Sequence, residues 1–195
     1  MSLIFSSTMG LHDDELRDQH GEPEAIPRIL HQTWRSREIP ERWQRFQQSW
    51  KTHNPNWQFM FWTDASGRDF LASHYSWFLP VYDAYPEPVM RADALRYFLL
   101  AHFGGVYADM DYECLKPFDD TLRGRQFVIG GEPPEHAQIA EVRASGLTWL
   151  VCNALICSAP GHPFWDHVFR KLLNRAGTRG PLDATGPILL TRASC

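Results

Sequence analysis

The stretch Arg91-Ala92-Asp93-Ala94-Leu95-Arg96-Tyr97-Phe98-Leu99-Leu100-Ala101-His102-Phe103-Gly104-Gly105-Val106-Tyr107-Ala108-Asp109-Met110-Asp111 decides how the chain folds. A helix is predicted over 87–103, opened by Pro88 and closed by Gly104-Gly105, because proline suits a helix's first turn and glycine its end. Residues 106–111 then read as a strand. Side chains alternate on a strand, so Val106, Ala108 and Met110 face one way while Tyr107, Asp109 and Asp111 face the other. The first set asks for burial. The second presents two carboxylates together.

Distances bring helix and strand to one place. Asp93 and Arg96 are three apart and share a helix face. From Asp93 to the glycine turn the helix rises about 15 Å, and from that turn to Asp109 and Asp111 the strand returns about 13–20 Å. An antiparallel packing sets all four side chains at the end of the sheet where open α/β folds hold ligands. Two adjacent carboxylates repel unless a cation neutralises them, and a hard dication such as Mg²⁺ or Mn²⁺ is the natural partner. Such an ion keeps positions free for diphosphate oxygens. The alternatives are plain: two solvated acids at a strand end, and an intrahelical Asp93–Arg96 pair worth a few tenths of a kcal/mol.

Outward from this stretch, strands are expected over 26–34, 57–62, 127–131 and within 147–158. Helices are expected over 40–51, 64–71 (capped by Asp64) and 163–174, with another beginning at Thr185-Gly186-Pro187. Strands alternating with helices argue for an α/β domain on a largely parallel sheet. Residues 1–24 are polar and acidic and read as a flexible leader before a domain over 25–195. The chain has 195 residues, 44% hydrophobic with eight Trp and twelve Phe, which fits a globular core. A net charge of −4 argues against a nucleic-acid partner, which would ask for a basic stripe. The four cysteines form no CxxC pair, so a disulfide framework or zinc site is not expected and a reducing compartment is. No apolar run approaches the ~18 residues of a membrane span, so the expected location is cytoplasmic, with peripheral attachment at an inner membrane as a variant. Tyr75, Trp77, Phe78, Tyr82 and Tyr85 read as core, or as walls of an acceptor cleft.

The blocks Ile26 to Trp34, Arg91 to Tyr97, Gly104 to Asp111, Asn153-Ala154 and Thr185-Gly186-Pro187 together resemble glycosyltransferase family 32. That group carries a "DXD" sugar-binding motif and includes initiating mannosyltransferases, capsular polysaccharide transferases and, more distantly, the glucosylating domains of clostridial toxins. The resemblance implies a GT-A fold and a Mn²⁺- or Mg²⁺-dependent, retaining transferase. It implies a UDP- or GDP-hexose donor and a glycan, lipid-linked or protein acceptor, as in polysaccharide biosynthesis. It assigns Trp34 to stacking on the base, Asp93 to ribose or sugar hydroxyls, and Arg96 to sugar and diphosphate. Asp109 bridges donor hydroxyls and the metal shell, Asp111 is the direct metal ligand, and Asn153 lines the donor-sugar pocket. Trp34 also reads as a core aromatic, and Asn153 as a strand-end amide bonded to backbone. Family members continue past the Thr-Gly-Pro block into a segment with a His and a Ser-Trp pair, so a domain truncated at its C-terminus is expected.

Two rivals use the same residues. A haloacid dehalogenase-like phosphatase takes Asp109 as nucleophile and Asp111 as general acid, but that pattern favours Thr or Val where Glu113 stands. A non-catalytic nucleotide-sugar-binding module keeps the pocket without turnover.

Overall fold

The structure, a computed structural model, describes residues 26–178 and 180–194. The leader expected over 1–24 lies outside the described residues. The strands are β1 (Ile29–Thr33), β2 (Gln58–Trp62), β3 (Gly105–Ala108), β4 (Phe127–Gly131) and β5 (Val151–Ser158). The helices are α1 (Glu41–His53), α2 (Asp64–His74), α3 (Leu79–Ala84), α4 (Pro88–Phe103), α5 (Asp119–Leu122), α6 (Ala140–Ala144), α7 (Phe164–Asn174), α8 (Pro181–Ala184) and α9 (Pro187–Ser194). They build one five-stranded sheet in the order β2-β1-β3-β5-β4. β1 is parallel to β2 and β3, and β5 is antiparallel to both β3 and β4. The sheet is therefore mostly parallel, as expected.

Strand alternation divides the core in two. Leu30, Val106, Ala108 and Cys157 face a cluster with Trp50 of α1 and Trp57. Tyr107 and Ile156 face the larger cluster built on α2, α3, α4, α7 and α9. Helix α4 is buried from Asp93 through Ala101, so it reads as apolar on nearly every side except where Asp93 and Arg96 interrupt it. Its end is a hard stop. Gly104 and Gly105 have φ of 65° and 94°, conformations that cost an L side chain. A Cβ at Gly105 would also lie 2.5 Å from the Ile29 carbonyl oxygen, so β3 approaches β1 closely only because glycine stands there. His31, fully buried between these strands, takes the Trp62 indole N–H on Nδ1 at 3.2 Å. Its Nε2 therefore carries the proton and donates to the Gly104 carbonyl at 2.9 Å.

Two local expectations are corrected. The third strand ends at Ala108, and Asp109 to Asp111 leave it through a turn. The hydrophobic alternation runs on past the point where the ladder stops, since Met110 is buried although it lies in the turn. The helix over 64–71 runs on to His74 and is capped by Thr63, not Asp64, in a reciprocal capping box with Ser66.

Candidate active site

A cleft of about 360 Å³ opens at the carboxyl ends of β1, β2 and β3. Thr33 and Trp34 follow β1 into it, Trp62 and Thr63 end β2, and Tyr107, Asp109 and Asp111 come from β3 and its turn. The opening turns of α4 form one wall through Pro88, Val89 and Ala92, and Arg96 reaches in one turn deeper. This is the position that parallel-sheet topology reserves for ligands.

Arg96 is the pivot. Its Nη2 lies 2.8 Å from Asp93 Oδ1 and its Nη1 3.4 Å from Asp109 Oδ1. Nη1 also donates to the Asn153 carbonyl at 2.6 Å, and the guanidinium stacks 4.6 Å from the centre of the Tyr107 ring. A guanidinium can be buried this way only with carboxylates beside it. Burial pulls its pKa down, but Asp109, Tyr107 and Asp93 together raise it above the ordinary arginine value. Asp93 is held as tightly. Oδ1 accepts from Asn153 Nδ2 at 3.0 Å as well as from Arg96, and Oδ2 accepts from Thr185 Oγ1 at 3.1 Å. Burial raises the Asp93 carboxyl to about 6, against the pull of Arg96, so it is ionised at neutral pH. Tyr97 closes the framework by donating to the Thr185 carbonyl at 2.7 Å.

Asp109 stands where this framework meets the cleft. Its backbone N–H extends the ladder to Ala154, and its Oδ1 accepts the Tyr107 hydroxyl at 2.8 Å. Thr33 Oγ1, 2.9 Å away, donates in turn to that hydroxyl. Oδ1 is thus occupied by Tyr107 and Arg96, leaving Oδ2 for a ligand. Asp111 lies two residues on, exposed in the turn. Among the described residues no group of three or more His, Cys, Asp or Glu side chains gathers to hold a metal. Two carboxylates are nevertheless the donor set that Mg²⁺ and Mn²⁺ take when water and substrate phosphates complete the octahedron. Asp109 and Asp111 fit that ion and no all-protein cage.

The structure brings together all six residues singled out in sequence, in two layers. Trp34, Arg96, Asp109 and Asp111 line the cleft. Asp93 and Asn153 stand behind Arg96 and orient it. Sequence reasoning missed Tyr107, Thr33 and Thr185 as members, although Thr185 belongs to a quoted block. It also missed Trp43, which lies within the helix expected over 40–51. Trp34 and Trp43 both line the cleft, and both carry a buried indole N–H with no acceptor among the described residues. Buried donors are normally satisfied, so these two are available to acceptors that enter the cleft, whether water or a ligand. Of the five aromatics read as core or as acceptor-cleft walls, Phe78, Tyr82 and Tyr85 are buried, Tyr75 is half-buried, Tyr82 also touches the donor cleft, and Trp77 is 51% exposed.

Known proteins of similar sequence and fold point to a family. The family described as "Glycosyltransferase sugar-binding region containing DXD motif" matches residues 40–128. Inositol phosphoceramide mannosyltransferase 2 of Schizosaccharomyces pombe is 39% identical over 163 residues, covering 84% of this chain and 43% of that protein. A mannosyl phosphorylinositol ceramide synthase of Saccharomyces cerevisiae is 33% identical over 162 residues, 83% of this chain and 38% of its own. The chain thus spans less than half the length of these relatives. Among solved structures, the PaToxG glycosyltransferase matches with a TM-score of 0.63 over 86% of this chain and 68% of its own, at 16% identity. That likeness is one of fold, and it is the GT-A fold. Asp109-Met110-Asp111 stands inside the matched region, at the mouth of the cleft, and the phosphatase assignment of these acids is left without support. The chain belongs to the glycosyltransferase family whose sugar-binding region contains the DXD motif.

Proposed function

We propose that this chain is the donor-binding catalytic core of a metal-dependent, retaining hexosyltransferase. It takes a hexose from a UDP- or GDP-sugar and passes it to a hydroxyl of a glycan, lipid-linked or protein acceptor. The relatives' names favour mannose as the sugar and an inositol-phosphate-bearing sphingolipid as the acceptor. The single observation that carries this reading is the meeting of Arg96 and Asp109 at the cleft, on a buried framework of Asp93, Asn153 and Thr185, beside Asp111 and Trp34.

Trp34 stacks on the base, and Trp43 offers its free indole N–H to the same ligand. Arg96 faces the sugar and diphosphate, held in place by Asp93 and Asn153. Asp109 Oδ2 and Asp111 hold the dication, which when bound supplies positive charge to the departing diphosphate. The acceptor hydroxyl attacks the anomeric carbon on the face the diphosphate leaves. The anomeric C–O bond breaks, its electron pair departs with the nucleoside diphosphate, and the hydroxyl proton passes to that leaving group. Arg96 stabilises the charge that develops there from a dry site, where a preorganised cation acts most strongly.

The test is a thermal-shift panel of UDP- and GDP-hexoses with and without Mn²⁺, followed by transfer assays on the donor that binds. A ligand at a hundred times its Kd stabilises by about 2.7 kcal/mol. No stabilisation by any nucleotide-sugar with metal present would remove the proposal.

A further inference from the structure

The first turns of α1 and the loop before it carry a charge that reaches the cleft only through Arg35. Arg35, Arg37, Arg42 and Arg45 fall within eleven residues and are all exposed. Against them stand Glu38 and Glu41, in a chain whose net charge is −4. Several arginines elsewhere find carboxylates: Arg28 with Asp119, Arg68 with Asp83, Arg96 with Asp93, and Arg175 and Arg192 with Asp183. None of the four forms an ion pair among the described residues. Two lie over aromatic rings instead, Arg42 at 4.7 Å from the Trp43 ring centre and Arg45 at 4.5 Å from that of Phe46. The helix is lightly anchored, since Trp50 is its one buried residue. The rim is continuous with the cleft, because Arg35 and Trp43 line it.

We infer that this arginine rim, Arg35 to Arg45, docks the cleft against an anionic lipid bilayer. Arginine heads stacked on half-buried Trp43 and Phe46 present their charge outward while their stems cover apolar surface, an arrangement suited to a headgroup layer. Unpaired cations gain most from such a surface, since they give up no ion pair on docking. The inference rests on the proposed lipid-borne acceptor: docking here turns the opening beside Asp109 and Asp111 toward hydroxyls carried on the membrane. The other basic hollow, formed by His167, Arg170, Lys171 and Arg192, is lined by α7 and α9, which cover the opposite face of the sheet from α1. It serves as an internal control for charge without location.

Co-flotation of the full chain with vesicles decides the matter. Phosphatidylcholine vesicles are compared with vesicles containing 30 mole per cent phosphatidylserine. Each basic residue near such a surface strengthens partitioning about fivefold, so Arg42→Ser with Arg45→Ser lowers binding to anionic vesicles about 25-fold. Arg42→Lys with Arg45→Lys keeps it within about twofold, and Arg170→Ser with Lys171→Ser leaves it unchanged. Binding fades in 0.5 M salt, where the Debye length is only a few ångströms. The inference is overturned if the wild-type chain ignores the anionic lipid, if it binds neutral vesicles equally well, or if the Arg170/Lys171 pair proves the stronger determinant. Nucleotide-sugar thermal shifts on the same variants keep the two readings apart. Lost flotation with intact donor binding isolates the rim, and flotation without any donor binding in the wild type counts against the transferase alone.

Discussion

Two carboxylates, one on α4 and one just past β3, live by opposite rules. Asp93 is 5% exposed, and its two oxygens accept from Arg96, Asn153 and Thr185. Asp111 is exposed in a turn and has no hydrogen bond or ion pair among the described residues. The first is expensive to disturb and does not line the cleft. The second contributes little to the fold and keeps both oxygens available. Asp109 joins the two regimes, with Oδ1 bound to the framework and Oδ2 spare. The site therefore separates the charges that position from the charges that bind.

The strongest way to break this division is Arg96→Ala. It strands Asp93 as a buried charge, and the expected loss is about 3–5 kcal/mol of folding stability, measured by urea denaturation. A loss under ~1 kcal/mol, the scale of exposed pairs, would mean the framework is not dry. Asp109→Asn, which leaves Asp93 beside Arg96, is expected to cost about 1–3 kcal/mol of stability and to lower transfer by about 10²–10³-fold, read in a donor-turnover assay. Its spare oxygen, not its framework contact, is what the reaction uses.

pH sharpens the same contrast on the fold side. Burial lowers the His31 imidazole to about 4. Its folded pKa is depressed below the unfolded 6.5, so the unfolded chain binds the extra proton first. The stability His31 contributes is full above about 6.5 and is lost as pH falls toward 4, on the order of 3 kcal/mol in total. The advantage of the wild type over His31→Gln should shrink across that window in parallel urea titrations. An advantage constant with pH would mean His31 is protonated in place. The smallest effect is that of Thr185→Val. Removing one donor from Asp93 is expected to cost about 1–3 kcal/mol and to weaken donor binding only through Arg96. The check is a KM for donor that rises while the metal requirement stays the same.

Much of this was legible in sequence because it is local. The helix, the double-glycine stop and the following strand follow from Pro88, Gly104-Gly105 and an apolar alternation, and their lengths alone bring Arg96 to Asp109. The bounds of β4 were read without error for the same reason. What stayed hidden depends on distance along the chain or on too little chain. Thr185 meets Asp93 across 92 residues and Asn153 meets it across 60, so no periodicity connects them. The four-residue helices α5 and α8 are too short to show a helical period. The alternation Tyr107, Asp109, Asp111 mimics a strand beyond the last ladder bond, and only the path of the backbone shows that Asp111 has turned away. Trp43 stayed hidden because helical spacing gives a helix but not which cleft its side chain lines.

The most direct test of the division between positioning and binding charge is Asp111→Asn. Melting should be measured on wild type and variant without ligand, with Mn²⁺ and nucleotide-sugar together, and with nucleotide-sugar alone. The variant should melt within about 0.5 kcal/mol of wild type when unliganded, as surface changes do, and lose the Mn²⁺-dependent part of the stabilisation. A variant that keeps its full response to Mn²⁺ would contradict the assignment of Asp111 as a metal ligand and leave the DXD pair without its chemistry.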